Sequence, residues 1–151
     1  MAESFKTRLM RLFFHIHPAY HGTRGRVTYI SADWSKLKLE IPHNWRTRNY
    51  VGTIFGGSMY AAVDPMFMIM LIQRLGPEYV VWDKAATIQF KKPGKCKLHA
   101  CFEITDEEVM LIKQELKSTP SLDRVYQVEI TDLKGGVYAK VDKTIYIRKK
   151  V

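Results

Sequence analysis

The spacing of apolar positions changes period several times along this chain, and each change predicts an element. Phe5, Leu9, Leu12, Phe13 and Ile16 recur at helical spacing, with Lys6, Arg8 and Arg11 off that face. The pattern predicts an amphipathic helix over about residues 4–17, stopped near Pro18. A basic amphipathic helix can lie on a membrane surface, but packing on its own domain is the commoner use and the expectation here. Val27 to Trp34 is rich in β-formers. Leu37, Leu39 and Ile41 then alternate with Lys36, Lys38 and Glu40, the period-two pattern of a strand with one wet face. Asp33 to Ser35 holds the turn between these strands, and Pro42 ends the second.

From Asn49 to Leu75 the pattern is different again. A glycine-containing loop runs into a long helix that is apolar on nearly every face, with Asp64 inside it. Such a helix has to be buried. Gly76-Pro77 stops it. Four further strands follow: Tyr79 to Lys92, Lys97 to Ile104, Arg124 to Leu133 and Val137 to Arg148. Thr105 to Glu108 reads as a capping box opening a short helix, and Lys134-Gly135-Gly136 as a hairpin turn. Hairpin-joined strands are antiparallel. One sheet and one fully apolar helix predict an α+β domain, residues 1–151, in which the sheet wraps the helix.

Composition narrows the class. With 151 residues, 46% hydrophobic and 26% charged, the chain is of single-domain size and globular composition. Its net charge of +9 favours anionic partners. The basic residues are dispersed, however, and no Arg-rich recognition helix or RNA-binding aromatic signature appears. Cys96 and Cys101 lack metal-type spacing, and free thiols fit a reducing, cytoplasmic setting. Asp64, Pro65, Gln73 and Arg74 argue against a membrane span in the apolar helix. His15, His17 and His21 are read as surface histidines, and no metal is expected.

Candidate chemistry gathers at the apolar helix. Free amides at its glycine-rich start can hold negative charge. A carboxylate inside a core is costly unless paired, hydrogen-bonded or protonated. Each residue also has a plainer reading. Asp64-Pro65 is a favoured helix start, with Asp as cap. Gly56 and Gly57 can serve only as turn glycines, and Asn49 only in local loop bonds. Met68, with Met59, Met66 and Met70, either lines a deformable acyl pocket or fills a core.

The pattern N-x-x-G-T-x-x-G-G from Asn49, followed by Asp64, resembles the hotdog-fold acyl-CoA thioesterases of the phenylacetate-pathway and human types. TIQFKKPGKCKLHACFEI is similar to that family's strand, Pro-Gly turn and return strand. GTIFGGSMYAAVDPMFM and VVWDKA are closer still to a bacterial subfamily catalogued as a domain of unknown function, DUF4442. Its members are sometimes named tetrameric acyl-CoA thioesterases. The resemblance implies a hotdog fold, a long central helix wrapped by an antiparallel sheet. It also implies dimers joined sheet edge to sheet edge, often paired into tetramers, with acyl-CoA sites between subunits.

Carried over by residue, the resemblance makes Asn49 the loop residue that orients water or thioester. The amides of Gly56 and Gly57 polarise the carbonyl, and Asp64 is the general base or nucleophile. Asp83 falls near a position that is often Ser or Thr. Independently of the resemblance, Lys84, Lys91, Lys92 and Lys95 can hold CoA phosphates at a strand end, although solvated lysines are the commoner case. Phe55 occupies the place where many members carry His. No cofactor is implied beyond the coenzyme A of the substrate. The expected function is thioester hydrolysis; a non-catalytic acyl-CoA or fatty-acid binder is the alternative, and charge-driven nucleic-acid binding a distant third.

Overall fold

The computed structural model describes residues 2–150. Its elements run α1 (Phe5–Ile16), α2 (Pro18–Thr23), β1 (Arg26–Ile30), β2 (Lys36–Ile41), α3 (Gly56–Val63), α4 (Met66–Leu75), β3 (Tyr79–Phe90), β4 (Leu98–Glu103), α5 (Asp106–Glu115), β5 (Leu122–Thr131) and β6 (Val137–Lys149). The strands form one antiparallel sheet in the order β1-β2-β4-β5-β6-β3. Alternation sets its inner face: Leu37, Leu39 and Ile41 of β2, Leu98, Ala100 and Phe102 of β4, and Ala139, Val141, Ile145 and Ile147 of β6 are buried. Against that face lie Met59, Ala62, Val63, Met66, Phe67, Met70, Leu71 and Leu75 of α3 and α4. Phe67 packs edge-on to Phe102 and stacks on Tyr126, both at 5.0 Å between ring centres. A sheet wrapped around a central helical axis is the hotdog arrangement expected above.

The central helix differs from the expectation in one respect that matters for the site. It is broken at Asp64-Pro65 into α3 and α4. Proline supplies no N–H to continue the hydrogen-bond ladder, and its ring crowds the turn before it.

Pro18 likewise does more than stop a helix: as the first residue of α2 it starts one. Tyr20 of α2 donates to the Ala62 carbonyl at 2.9 Å and ties α2 to α3. The first strand ends at Ile30, four residues early, because Ser31 to Ser35 close a turn in which Trp34 takes φ 60°. Only half of the α5 capping box forms. Thr105 accepts from the Glu108 amide, while the Glu108 side chain turns to Tyr126 and Arg124.

The largest departure is α1. It packs on the domain, but not through its apolar stripe. Instead it buries Thr7 and Phe14 and holds to β1 by the opposite face, leaving Phe5, Leu9, Leu12, Phe13 and Ile16 exposed. The sheet's two edges are correspondingly unlike. β1 is short and lies under α1, whereas the outer edge of β3 runs 12 residues with no partner strand among the described residues.

Candidate active site

Asp64 closes α3 in helical geometry, φ −49° and ψ −54°, with its amide donating to the Tyr60 carbonyl at 2.9 Å. It does not cap the helix that follows: no side chain caps α4. Its carboxylate is committed elsewhere. Oδ1 accepts from the Tyr60 hydroxyl at 2.7 Å and from Lys143 Nζ at 2.6 Å. Among the described residues Oδ2 has no partner, and the side chain is 41% exposed. Asp64 is thus half in solvent and not sealed in the core, as an all-apolar helix had implied.

Lys143 makes this arrangement possible. It occupies an inward position of β6, between Val141 and Ile145, and only 1% of its side chain is exposed. Its ammonium stands 2.6 Å from Asp64 and 3.0 Å from Asp83 Oδ1, which is off the line of a directed hydrogen bond and otherwise unpartnered. The Tyr60 ring lies 5.6 Å beneath it. Burial works to lower the Lys143 pKa, but the hydrogen bond to Asp64 and the close carboxylates of Asp64 and Asp83 outweigh it and the net shift is upward. Burial raises the Asp83 carboxyl, partly opposed by Lys143 and reinforced by the charge of Asp64. Burial, then the bond to Asp64, raises the Tyr60 hydroxyl. The result is a cation clamped between two carboxylates, with one carboxylate oxygen left open.

Asp64 lines an apolar cavity of about 420 Å³, together with Phe13, Phe14, Tyr20, Tyr60 and Ile69 among others. An apolar pocket with few polar groups is the usual form of a small-molecule site.

Gly56 and Gly57 are the first two residues of α3, and Phe55 before them offers no side-chain acceptor. Their amides therefore lack helical partners. Two aromatic rings need the missing Cβ atoms. A Cβ on Gly57 would lie 2.3 Å from the Phe55 ring, and one on Gly56 2.8 Å from Phe90. Gly57 lines a groove that shares Ala19, Thr23 and Ala61 with the Asp64 cavity.

Asn49 and Gly56 line a different cavity, beside Phe90 and Lys92. The Asn49 side chain is spent locally: Nδ2 donates to Thr53 Oγ1 at 2.9 Å, and Oδ1 accepts from the Thr53 amide at 3.0 Å and the Val51 amide at 3.2 Å. Within one chain it shapes the loop. Lys84 is the extra residue of a β-bulge between Asp83 and Ala85, and its ammonium pairs with Asp123 at 2.6 Å. Met68 is half-buried against the core.

The structure therefore joins Asp64 to Asp83, and adds Tyr60 and Lys143, which the motif did not name. Tyr60 lies one helical turn before Asp64. Lys143 had a sequence signal: it is the one charged residue in the inward series Ala139, Val141, Lys143, Ile145, Ile147.

The comparisons with known proteins agree with this architecture. A family model described as a domain of unknown function (DUF4442) matches residues 6–147. No protein of curated function matches the chain in sequence. A protein of unknown function from Pseudomonas aeruginosa, described as a probable thioesterase, superposes with a TM-score of 0.83 at 16% identity, covering 99% of both chains. A thioesterase from Haemophilus influenzae gives 0.70 at 12% identity over 97% of this chain and 93% of its own. Thioesterase superfamily member 2 from Mus musculus gives 0.67 at 17% identity over 95% and 98%. At such identities the likeness establishes the hotdog fold.

Proposed function

The chain belongs to the DUF4442 family, and from that premise we propose that it is a thioesterase, hydrolysing acyl-CoA or a related acyl thioester at a site completed between two subunits. One observation carries the reading: Asp64 is held through Oδ1 by Lys143 and Tyr60, its Oδ2 has no partner among the described residues, and the residue lines an apolar cavity. In this reading the acyl chain occupies the cavity and Asp64 Oδ2 takes a proton from water. The water oxygen adds to the thioester carbon. A Gly57 amide receives the oxyanion, a contact whose loss typically costs about 10²–10³ in rate. Collapse breaks the C–S bond, and the departing thiolate recovers the proton from Asp64.

Gly57 and Asp64 are seven residues apart, about two helical turns or ~10 Å. The two would therefore act on one carbonyl only across an interface. The open edge of β3 supports pairing of two sheets edge to edge, with Asp64 of one subunit serving Gly57 of its partner.

Purified protein offered a panel of acyl-CoAs should release free thiol, and Asp64→Asn should lower the rate by about 10²–10⁴, the usual worth of a general base. An unchanged rate in Asp64→Asn removes Asp64 from the mechanism. A second reading rests on Phe55, whose ring covers Gly57 where many relatives of this fold carry His. A hotdog protein that holds acyl-CoA without turnover would retain the ligand tightly and release no thiol over hours.

A further inference from the structure

Apart from Phe13, which also lines the Asp64 cavity, the apolar face of α1 and the basic cavity beside it remain unused by this chemistry. Phe5, Leu9, Leu12, Phe13 and Ile16 form one stripe along α1, from 47% to 82% exposed. The helix is nonetheless held in place. Ser4 and Thr7 close a capping box, and Glu3 accepts from Arg11 and from the Ile30 amide. The stripe is thus a fixed surface. A continuous apolar patch of this kind on a folded protein marks an interaction site.

One flank of the stripe carries Arg8, Arg11 and His15, spaced to share a helix face. That flank continues into a cavity of about 460 Å³ lined by His15, His21, Arg24, Arg26, Trp45 and Arg46, with no carboxylate in its wall. Among the described residues Arg24, Arg26 and Arg46 have no acidic partner; Arg24 donates to His21 and Arg46 lies 4.8 Å from the exposed Trp45 ring. Apolar residues backed by cations, with a tryptophan at the rim, have the chemistry of a membrane-surface helix. Self-association through this face would draw Arg8 and Arg11 of each copy out of water with one carboxylate, Glu3, between them, which disfavours it. A nucleic-acid backbone would use the cations but leave the apolar stripe in water.

We infer that α1 and the adjoining Arg24–Arg26–Arg46 cavity dock the protein on the surface of an anionic phospholipid bilayer, the stripe entering the headgroup layer and the cavity taking lipid phosphate. This is peripheral binding: among the described residues no helix is long and apolar enough to cross a membrane.

Flotation of the full chain with vesicles tests it. Vesicles of phosphatidylcholine with phosphatidylglycerol should bind at least tenfold more protein than pure phosphatidylcholine. The triple variant Phe5→Ser, Leu9→Ser, Ile16→Ser should lose at least tenfold, and so should Arg26→Glu with Arg46→Glu. All five are exposed positions, and circular dichroism and native size confirm the fold of each variant. Equal or absent binding to both vesicle types overturns the inference. So does unchanged binding by the triple variant, or a triple variant whose only change is a smaller oligomer, which would assign the stripe to a second copy. None of these readouts depends on thioester hydrolysis.

Discussion

Lys143 is a cation that only its neighbours make tolerable. An isolated ammonium with 1% exposure would be strongly disfavoured; here two carboxylates and a tyrosine ring receive it. Lys143→Met should cost roughly 2–4 kcal/mol in urea unfolding. That is near or below the 3–5 kcal/mol of a fully buried pair, because the Asp64 side chain is 41% exposed and water can partly replace its partner.

The pH dependence follows from the direction of the shift. The folded-state pKa of Lys143 lies above its ordinary 10.5, so its stabilising contribution is complete below about 10.5 and is lost as pH rises through the higher folded value. Melting temperatures of the wild type and of Lys143→Met should therefore converge above pH 10.5, and parallel curves would argue against the ion cluster. The site was half legible at this scale. Asp64 and the two glycines stand in a recognisable motif. Lys143 lies 79 residues from Asp64 in sequence, and only the packing of the central helix on the inner face of β6 brings them together.

At the scale of elements, the break between α3 and α4 decides where Asp64 points. A straight helix would carry position 64 onward in register with Tyr60 and Met68. The proline ends α3 at the carboxylate and lets α4 restart. Pro65→Ala restores an N–H that can donate to the Ala61 carbonyl. Helicity by circular dichroism should rise slightly, while kcat should fall on the order of 10²-fold, as expected when a reacting group is misplaced by about 1 Å. Unchanged kcat would separate the break from catalysis.

Element types were legible because periods of two and near four are set by the backbone itself. The orientation of α1 was not. A hydrophobic stripe shows that a helix has two faces, but the core selected Thr7 and Phe14 from the other one. α2 escaped for a related reason, since Pro18 reads equally as the end of one helix and the first residue of the next.

At the scale of the molecule, the sheet leaves one long side unfinished. β6 pairs with the inner side of β3 over most of its length, while the outer side, with Trp82 and Phe90 exposed, meets no strand among the described residues. Ala86→Pro would remove an amide that faces away from β6 and stiffen the open edge. If that edge joins subunits, the variant should run as a smaller species in light scattering and lose thiol release together with assembly. A monomeric variant with full activity would place the whole site within one chain.

Such a join would also be a question of symmetry. Two identical antiparallel strands related by a twofold axis must bring some position of β3 opposite its own copy. Every substitution there is made twice, and one near the axis touches itself. Single cysteines placed in turn along Tyr79 to Phe90 would then crosslink at one position and fade to either side. The peak would locate the axis, and its distance along β3 from Asp83 would measure how far apart the two proposed sites lie.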